Sequence, residues 1–523
     1  LALLFVVFLG RIALTWRVFN DTADEQSHLT AGLEVLETGH YTFEAQHPPL
    51  ARVVVAALPY FRAGLRRHAY WLWDPDGSWS RREVAYYWYT LTLARAGNLV
   101  FAVALLGFVW RWSSLLYGPT AGLVGVLVAS CCPNLLAHSG LATLDIAGAA
   151  TVFATAFFLW RWSEQPGWRY ALAAGAAAGL AVLSKFSALA FLPPVAVLYY
   201  LAAPRPRPRL LPAVAGLLLA ALVVWAGYGC TVGAIVPQPG HRYLSRFPMG
   251  GESSASQRLA KLVEARTLPA PRFWQGLIDL TAHNQQGHPA YLLGRHAQHG
   301  WWYYFPVALA VKTTLPLLVL VLVAVGRGVR RRDTPSWIYP GAAVTIILAV
   351  SMVSHINIGI RHVLALFPFF AVLASGLFTR FQANRAHLAV AALLAWHVGE
   401  SVAAHPDYLA YFNPIARGRE ERFLADSNLD WGQDLARLAR YVREHRIDRV
   451  QLSFWGPANP RKLGVPAMPY TGQPGWVAVS VNHLLGVDAD AAPFAALRGL
   501  SPHARIGKSL RLYYLPPPEG DRP

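Results

Sequence analysis

Two adjacent carboxylates and a histidine, Asp24, Glu25 and His28, follow the first apolar run of the chain in the stretch TADEQSH. Carboxylates in such a place can act as a general base or bind a metal ion. Thr22 and Glu25 also have the spacing of a capping box, which predicts a helix that starts here and stops at Gly39. Asp24 and His28 share a face of that helix. Asp24 is therefore our candidate base, whereas Glu25 has a mainly structural alternative.

Further ionisable residues lie inside apolar segments or at their ends. Asp145 occurs in LATLDIAGAA, where a simple helix N-cap is the alternative. Lys185 interrupts AVLSKFSAL, and Lys312 lies inside VALAVKTTLP, where it is expected to face a polar cavity. Arg361 and His362 follow at the end of INIGIRH. A fixed cation at a membrane surface suits a phosphate group, although an interfacial anchor is an alternative for Arg361.

His47 precedes two prolines in HPPLARVVVAALP, which predicts a rigid entry into a second amphipathic helix. The turn accounts for the prolines but does not require the histidine. His47 is therefore a candidate substrate-binding residue, together with His28.

The composition indicates that a membrane protein carries these residues. Of 523 residues, 54% are hydrophobic and 14% are charged, against about 25% charged in soluble domains. The formal net charge is +18, but the arginines are spread over loops rather than gathered in one basic domain. This distribution favours anionic lipids or phosphates as partners and argues against nucleic acid.

The apolar pattern predicts a polytopic α-helical protein with about eleven transmembrane helices. The predicted spans are 1–19, 91–110, 119–137, 146–162, 170–184, 186–203, 210–230, 303–326, 337–355, 362–379 and 386–403. The first run, LALLFVVFLG, lacks a small-residue cleavage site, so we expect a membrane anchor rather than a signal peptide.

Every second connection between the predicted spans is rich in arginine, which predicts a cytoplasmic location for that set. These connections contain Arg111, Arg161, Arg169, Arg205, Arg207, Arg209, Arg327, Arg330, Arg331, Arg332, Arg380 and Arg385. The external face then carries the loops 20–90 and 231–302 and the tail from about residue 405. The polar candidate residues gather on this external face, apart from Lys312 within a span.

The tail differs in kind from the apolar region. DLARLARYVREHRI has apolar residues at helical spacing, and DRVQLSFW, GWVAVSVN and SLRLYYL have the pattern of short strands. We therefore predict a transmembrane module, residues 1–404, and a small external α/β domain, residues 405–523. The carboxylates of DSNLDWGQD, namely Asp426, Asp430 and Asp434, either contact an acceptor glycan or cap and charge a helix.

Four motifs taken together resemble a known family. ADEQSH in the first external loop, HPPL about twenty residues later, TLD after the third span and NIGIRH before the tenth resemble the GT-C membrane glycosyltransferases of family 39. This group includes the protein O-mannosyltransferases and the lipid A aminoarabinose transferases. The tail segment YFNPIARGREERFLADSNLDWGQDLARL resembles the bacterial phospholipid-carrier-dependent branch. The resemblance covers most of the chain and implies a GT-C fold.

The resemblance implies roles for the acidic residues. Asp24 and Glu25 match the first-loop acidic motif, from which a carboxylate serves as catalytic base or metal ligand, and Asp145 matches a second acidic position at the same cavity. Asp24 and Asp145 are thus the candidate ligands of a divalent cation. HPPL departs from the mannosyltransferase pattern because Ala45 replaces an expected Asp, with Glu44 adjacent. The aminoarabinose-transferase form has Glu-Lys at Gln46-His47.

The implied function is transfer of a sugar from a polyprenyl-phosphate donor to an acceptor hydroxyl, usually with inversion at the anomeric carbon. The acceptor is a protein, a lipid or a polysaccharide at the periplasmic face of a bacterial inner membrane. From position and charge we assign the donor phosphate to Lys185 and Arg361, with Asp24 as the base. Cationic stabilisation and positioning then supply much of the rate.

Two other classes of function compete with this one. A polymerase or ligase that moves whole lipid-linked glycans uses the same face of the membrane. A transporter or flippase places ionisable groups near the midplane, often in inverted repeats, and Lys312 is the residue that favours it.

Overall fold

The protein is described by a computed structural model that covers residues 1–67, 80–204, 207–235, 266–330, 337–378, 385–487 and 490–517. Arg205, Arg331, Arg332 and Arg380, and part of each predicted external loop, lie outside the described residues.

Helices account for most of the described chain before residue 404. They are α1 (Ala2–Ala13), α2 (Glu25–Thr38), α3 (Pro49–Ala63), α4 (Arg81–Gly97), α5 (Leu99–Tyr117), α6 (Pro119–Ser130), α7 (Pro133–Ser139), α8 (Asp145–Glu164), α9 (Trp168–Ser184), α10 (Ala188–Ala202), α11 (Leu210–Gly227), α12 (Pro271–Gln286), α13 (Tyr304–Lys312), α14 (Leu315–Arg330), α15 (Ile338–Met352), α16 (Leu366–Ser375) and α17 (Arg385–Ala403). The predicted helical architecture is confirmed, whereas the predicted number of spans stays a prediction.

By length and composition, three helical segments among the described residues can cross a membrane, namely Arg81–Tyr117, Leu210–Gly227 and Arg385–Ala403. Two predicted spans are broken. α6 and α7 meet at an angle of 67°, and α13 and α14 meet at 116°. Pro133 begins α7 and Pro316 follows the second break, which fits the tendency of proline to end the preceding helix. Four further apolar helices are shorter, at 10–17 residues.

Large apolar side chains on the outside of several helices fit a lipid environment. Leu3 on α1, Leu217 and Leu218 on α11 and Leu322 on α14 are each about two-thirds exposed or more. Inside, α9 packs against α8 and α11. A Cβ on Gly175 of α9 would lie 2.0 Å from the carbonyl oxygen of Gly216 on α11, so these two helices touch through their backbones. Such close approach through small residues is typical of membrane helix pairs.

The first external loop folds into α2, α3 and the start of α4, which pack together. α2 ends at Gly39, which has φ +69°, as predicted. Its start differs from the prediction, because α2 begins at Glu25 and Asp24 immediately precedes it. The capping box is incomplete: the Thr22 backbone N–H donates to Glu25 Oε2 at 2.8 Å, while the Thr22 hydroxyl donates to the same carboxylate at 3.2 Å instead of capping the backbone.

The tail contains the predicted α/β unit. The helices α18 (Leu435–Glu444) and α19 (Val481–Leu485) accompany a sheet of strand order β6-β5-β7-β9-β8. Its strands are β5 (Val450–Ser453), β6 (Ala467–Pro469), β7 (Gly475–Ser480), β8 (Ala504–Ile506) and β9 (Leu510–Leu515). The predicted helix and the strands β5, β7 and β9 are confirmed, and β6 and β8 are additions. Two further two-stranded antiparallel sheets, β1 (Val232–Gly233) with β2 (Leu268–Pro269) and β3 (Ala290–Leu292) with β4 (Arg295–Ala297), lie earlier in the chain.

The segment between α17 and α18 packs its apolar side chains with those of the membrane helices, while its polar side chains also bond residues of the C-terminal sheet region. Tyr408, Phe412, Leu424 and Trp431 belong to the main hydrophobic cluster, together with residues of α5, α8 and α16. The sheet and α18 have a separate cluster that includes Leu435 and Leu438. The predicted domain boundary at residue 405 stays a prediction.

Candidate active site

Glu25 is a buried structural carboxylate. Its side chain is 2% exposed and accepts hydrogen bonds from Arg95 Nε and Nη2, each at 2.8 Å. The backbone N–H groups of Thr22 and Ala142 donate to it as well, each at 2.8 Å. Burial raises the pKa of Glu25, but the charge and hydrogen bonds of Arg95 outweigh burial and hold the pKa below its usual range. With its oxygens engaged in this way, Glu25 ties the first loop to α4 and to the start of α8, which argues against its predicted catalytic role.

Asp24 has a different environment although it is the next residue. Its side chain is 30% exposed, and Oδ2 accepts a hydrogen bond from Arg361 Nη1 at 2.6 Å. Arg361 lies in a 3₁₀ turn, Ile360–Val363, and its guanidinium is 4.4 Å from the ring centroid of Trp431. The structure thus joins a predicted base from the first loop to a predicted phosphate-binding cation 337 residues away.

A second ion pair joins Asp145 and Lys185. Lys185 Nζ donates to Asp145 Oδ1 at 2.7 Å, and Asp145 is 3% exposed. Asp145 begins α8 and Lys185 follows α9, so the turn of the α8–α9 hairpin at the other end carries Arg161 and Arg169. His138 Nδ1 lies 3.6 Å from Asp145 Oδ2. Asp145 therefore binds a predicted phosphate-binding cation instead of serving only as an N-cap.

The predicted histidines of the first loop stand beside these pairs. The rings of His28 and His47 have centroids 5.4 Å apart. His28 Nδ1 accepts a hydrogen bond from Arg52 Nε at 3.2 Å, which leaves the second ring nitrogen as the N–H donor of a neutral imidazole. Burial lowers the pKa of His28 well below its usual value, and burial lowers the pKa of His47 to about 4 against the opposing charge of Glu44.

Charges on both ion pairs act on these histidines. The charges of Asp145 and Arg361 both shift the pKa of His28, and those of Asp24 and Lys185 shift that of His47. Contacts connect the two ion pairs as well, because Trp431 lies against Arg361 and against His138, which is beside Asp145. The two ion pairs and the two histidines therefore belong to one site. His362, adjacent to Arg361, is half-buried, and its Nε2 has no hydrogen-bond partner among the described residues.

Lys312 does not face a polar cavity, contrary to the prediction. It is fully buried, and its ammonium donates to the carbonyl oxygens of Leu409 at 2.7 Å and Asn428 at 2.6 Å. Its role is to hold the segment that follows α17. The observation that favoured a transporter is thereby removed.

Three residues of the site were missed by sequence reasoning, namely Arg52, Arg95 and His138, whereas Trp431 belongs to the stretch DSNLDWGQD, for which two alternatives were left open. Arg52 is fully buried and bonds Glu44 and, at 2.7 Å, the Tyr41 hydroxyl. A single arginine inside the apolar stretch PLARVVVAAL is weak evidence for a site residue. A helix can place such an arginine on its exposed face as readily as on its buried face. Arg95 has its partner Glu25 70 residues away and carries no local signal. His138 lies near Asp145 in the sequence, but no motif connects the two residues.

A divalent cation does not fit the donor set around Asp24 and Asp145. Each of these carboxylates is bound to a side-chain cation. Across the described residues, no three His, Cys, Asp or Glu side chains are grouped as metal ligands. The second first-loop carboxylate, Glu44, is engaged by Arg52.

The chain resembles a known protein family over part of its sequence and solved structures over most of its length. Residues 83–228 match the family described as dolichyl-phosphate-mannose-protein mannosyltransferase. The crystal structure of ArnT from Cupriavidus metallidurans bound to undecaprenyl phosphate matches with a TM-score of 0.53 at 14% identity, covering 98% of this chain and 97% of that one. The apo state of the same protein matches with a TM-score of 0.50 at 12% identity and the same coverage. No curated protein sequence matches the chain.

At these identities the structural matches establish a shared fold. The family match covers Arg95, Asp145 and Lys185 but neither Asp24 nor Arg361. Together, the family match over residues 83–228 and the shared fold confirm the resemblance to GT-C glycosyltransferases of the family 39 type.

Proposed function

We propose that this protein is a membrane glycosyltransferase that moves a sugar from a polyprenyl-phosphate donor to an acceptor hydroxyl at the external face of a bacterial cytoplasmic membrane. The observation that carries the proposal is the arrangement of two cation–carboxylate pairs, Asp24 with Arg361 and Asp145 with Lys185, around one site. Two cations bind a phosphate, and a carboxylate beside them binds the proton of an acceptor.

An apolar groove supports a lipid-linked donor. The groove has a volume of about 530 Å³ and is bounded by α8, α9, α10 and α11, with Phe273 of α12 at one side. Its lining includes Val182 and Ala188, three residues before and three after Lys185. A prenyl chain in this groove would place its phosphate beside the Lys185 ammonium.

The proposed step transfers the sugar directly. The phosphate is bound by Lys185 and Arg361, and the phosphate on Arg361 competes with the Asp24 carboxylate for the same guanidinium. Asp24 then takes the proton of the acceptor hydroxyl. The acceptor oxygen forms a bond to the anomeric carbon while the bond from that carbon to the phosphate oxygen breaks. The electron pair stays on the phosphate, whose charge the two cations stabilise. Attack opposite the leaving phosphate inverts the anomeric carbon.

The neutral histidines suit contacts to hydroxyl groups. His28 offers an N–H donor in a fixed orientation because Arg52 occupies its other nitrogen. His47 and His362 lie beside the cations and provide further polar contacts. We assign these residues to the sugar or the acceptor rather than to proton transfer.

The proposed orientation follows from the α8–α9 hairpin. Asp145 and Lys185 lie at one end of the hairpin, and Arg161 and Arg169 lie at the other. Because arginine-rich loops stay in the cytoplasm, the site opens on the periplasmic side.

The proposal is tested by mass spectrometry of lipid-linked sugars and surface glycans from cells with and without the gene. We expect a polyprenyl-phosphate sugar to accumulate and one surface modification to disappear when the protein is absent. The mass of the lost group separates transfer of one sugar from transfer of a whole glycan. Purified protein that moves a lipid-linked sugar between the leaflets of vesicles and never transfers it would contradict the proposal.

A further inference from the structure

Residues 426–434, here called the strap, hold the segment that carries Arg361. The Ser427 hydroxyl donates to the carbonyl oxygen of Ile358 at 2.6 Å, and the Ile360 N–H donates to Asn428 Oδ1 at 2.9 Å. Trp431 lies under the Arg361 guanidinium at 4.4 Å. The strap therefore contacts the backbone before Arg361 and the charged end of its side chain.

The strap also holds the segment that carries Asp24. The Ala23 N–H donates to the carbonyl oxygen of Trp431 at 3.1 Å. The Asn20 side-chain amide donates to the carbonyl oxygen of Gly432 at 2.7 Å. One short segment thus contacts Arg361 and the residues just before Asp24.

The strap is itself fixed on several sides. Lys312 donates to the carbonyl oxygen of Asn428, and Asn482 N–H donates to Asp430 Oδ2 at 3.1 Å. Gly432 has φ +78°, and a Cβ there would lie 2.7 Å from the carbonyl oxygen of Trp455. Asp430 is fully buried and accepts hydrogen bonds from backbone N–H groups. For this residue of DSNLDWGQD, the structural alternative is therefore favoured over contact with an acceptor glycan.

Trp431 connects the parts of the site. Its side chain is 1% exposed, its ring faces Arg361, and it meets the His138 ring edge-on at 6.0 Å between centroids. His138 in turn lies beside Asp145. An aromatic face attracts a guanidinium and excludes water from one side of it, while the N–H groups at the guanidinium edge stay available to a phosphate.

We propose that Trp431 is a positioning residue that orients Arg361 for the donor phosphate, and that the strap makes the C-terminal region part of the active site. The inference rests on the proposed function, since it takes Arg361 as a ligand of that phosphate. Trp431 acts through Arg361 and touches no reacting atom.

The experiment measures binding of undecaprenyl phosphate to the full-length protein in lipid nanodiscs. Trp431→Leu removes the aromatic face and should weaken binding about 2- to 30-fold, the range that corresponds to a cation–π contact from exposed to desolvated. Trp431→Phe keeps a ring and should restore most of the affinity. Trp112→Leu is the matched control, because Trp112 is equally buried and packs between Phe153 and Trp160 in the main hydrophobic cluster. It should lower the thermal stability and leave the affinity unchanged.

A double-mutant cycle separates positioning from general damage. In an Arg361→Gln background, Trp431→Leu should have no further effect on binding. Equal affinity of wild type and a folded Trp431→Leu variant, or full additivity with Arg361→Gln, would overturn the inference.

Should Trp431→Leu not fold, Ser427→Ala removes one strap contact with little change in volume. We expect it to weaken binding about 2- to 10-fold, and unchanged affinity would overturn the inference. Wild-type protein that does not bind undecaprenyl phosphate would instead overturn the proposed function.

Discussion

Asp24 and Glu25 are neighbours in sequence, each bound to an arginine, yet their surroundings differ. The Glu25–Arg95 pair is buried at 2% and 1% exposure, with further backbone donors on the carboxylate. The Asp24–Arg361 pair is 30% and 14% exposed, and the described contacts give Asp24 one side-chain partner. A buried carboxylate whose oxygens already accept several hydrogen bonds stabilises the fold. A carboxylate with one hydrogen-bond partner and access to solvent can still accept a proton from a substrate. The number of partners therefore distinguishes the two roles where sequence position does not.

The comparison is tested most strongly by removing each carboxylate in turn. Glu25→Ala leaves Arg95 charged, buried and uncompensated, so we expect a loss of about 3–5 kcal/mol of unfolding free energy. Asp24→Ala breaks a partly exposed pair and should cost about 0–1 kcal/mol. Thermal unfolding of the two purified variants in the same detergent gives the measurement. Equal stability of the two variants would remove the distinction between the pairs.

The thermal stability of the wild-type protein should fall in acid because of Glu25. The folded pKa of Glu25 is held below its usual 4.5, so the folded state binds its proton less readily than the unfolded state. The stabilisation is present above that value and is lost as the pH falls below it.

A smaller change tests the second ion pair. A Cβ on Gly148 of α8 would lie 3.0 Å from Lys185 Cβ and 3.2 Å from Lys185 Cδ. Gly148→Ala should therefore displace Lys185 from Asp145 and cost about 1–3 kcal/mol through overpacking, with weaker binding of undecaprenyl phosphate. The control is Gly107→Ala in α5, where a Cβ would have no atom within 4 Å. Alanine there should stabilise the helix by about 0.5–1 kcal/mol. Unchanged lipid binding in Gly148→Ala would show that Lys185 does not depend on this packing.

The smallest effect concerns His47. Because its pKa is lowered to about 4, His47 stays neutral between pH 5.5 and 8. His47→Gln should change the affinity for undecaprenyl phosphate while leaving the shape of its pH profile unaltered. The measurement is the binding constant of wild type and variant across that range. A transition near pH 6.5 that disappears in His47→Gln would show that the histidine carries charge at the site.

The sequence predicts those features of the fold that depend on neighbouring residues. The glycine that ends α2, the alternation of GWVAVSVN and the spacing of Leu435 and Leu438 are each local patterns, and each corresponds to an observed element. Hydropathy also locates most helices, but it does not reveal a bend inside an apolar run. Thr313 therefore appeared to lie within a span, although the chain turns there by 116°.

The site was predictable in its residue types and only partly in its pairings. Asp24, Asp145, Lys185 and Arg361 are polar residues at the ends of apolar segments, and the cost of burying charge in a membrane makes such residues conspicuous. Which cation meets which carboxylate depends on contacts up to 337 residues apart. The sequence left the role of Trp431 open for a related reason. The residues around an aromatic side chain in a polar stretch do not show that its ring faces a guanidinium.

The most direct measurement compares sugar transfer with lipid binding in Asp24→Asn. The variant keeps the size of the side chain but cannot accept the proton of an acceptor hydroxyl. We predict that transfer falls by about 10²- to 10⁴-fold, the usual contribution of a general base, while the thermal stability is retained and undecaprenyl phosphate binds at least as tightly as to wild type. Transfer at the wild-type rate would contradict the assignment of Asp24 as the base.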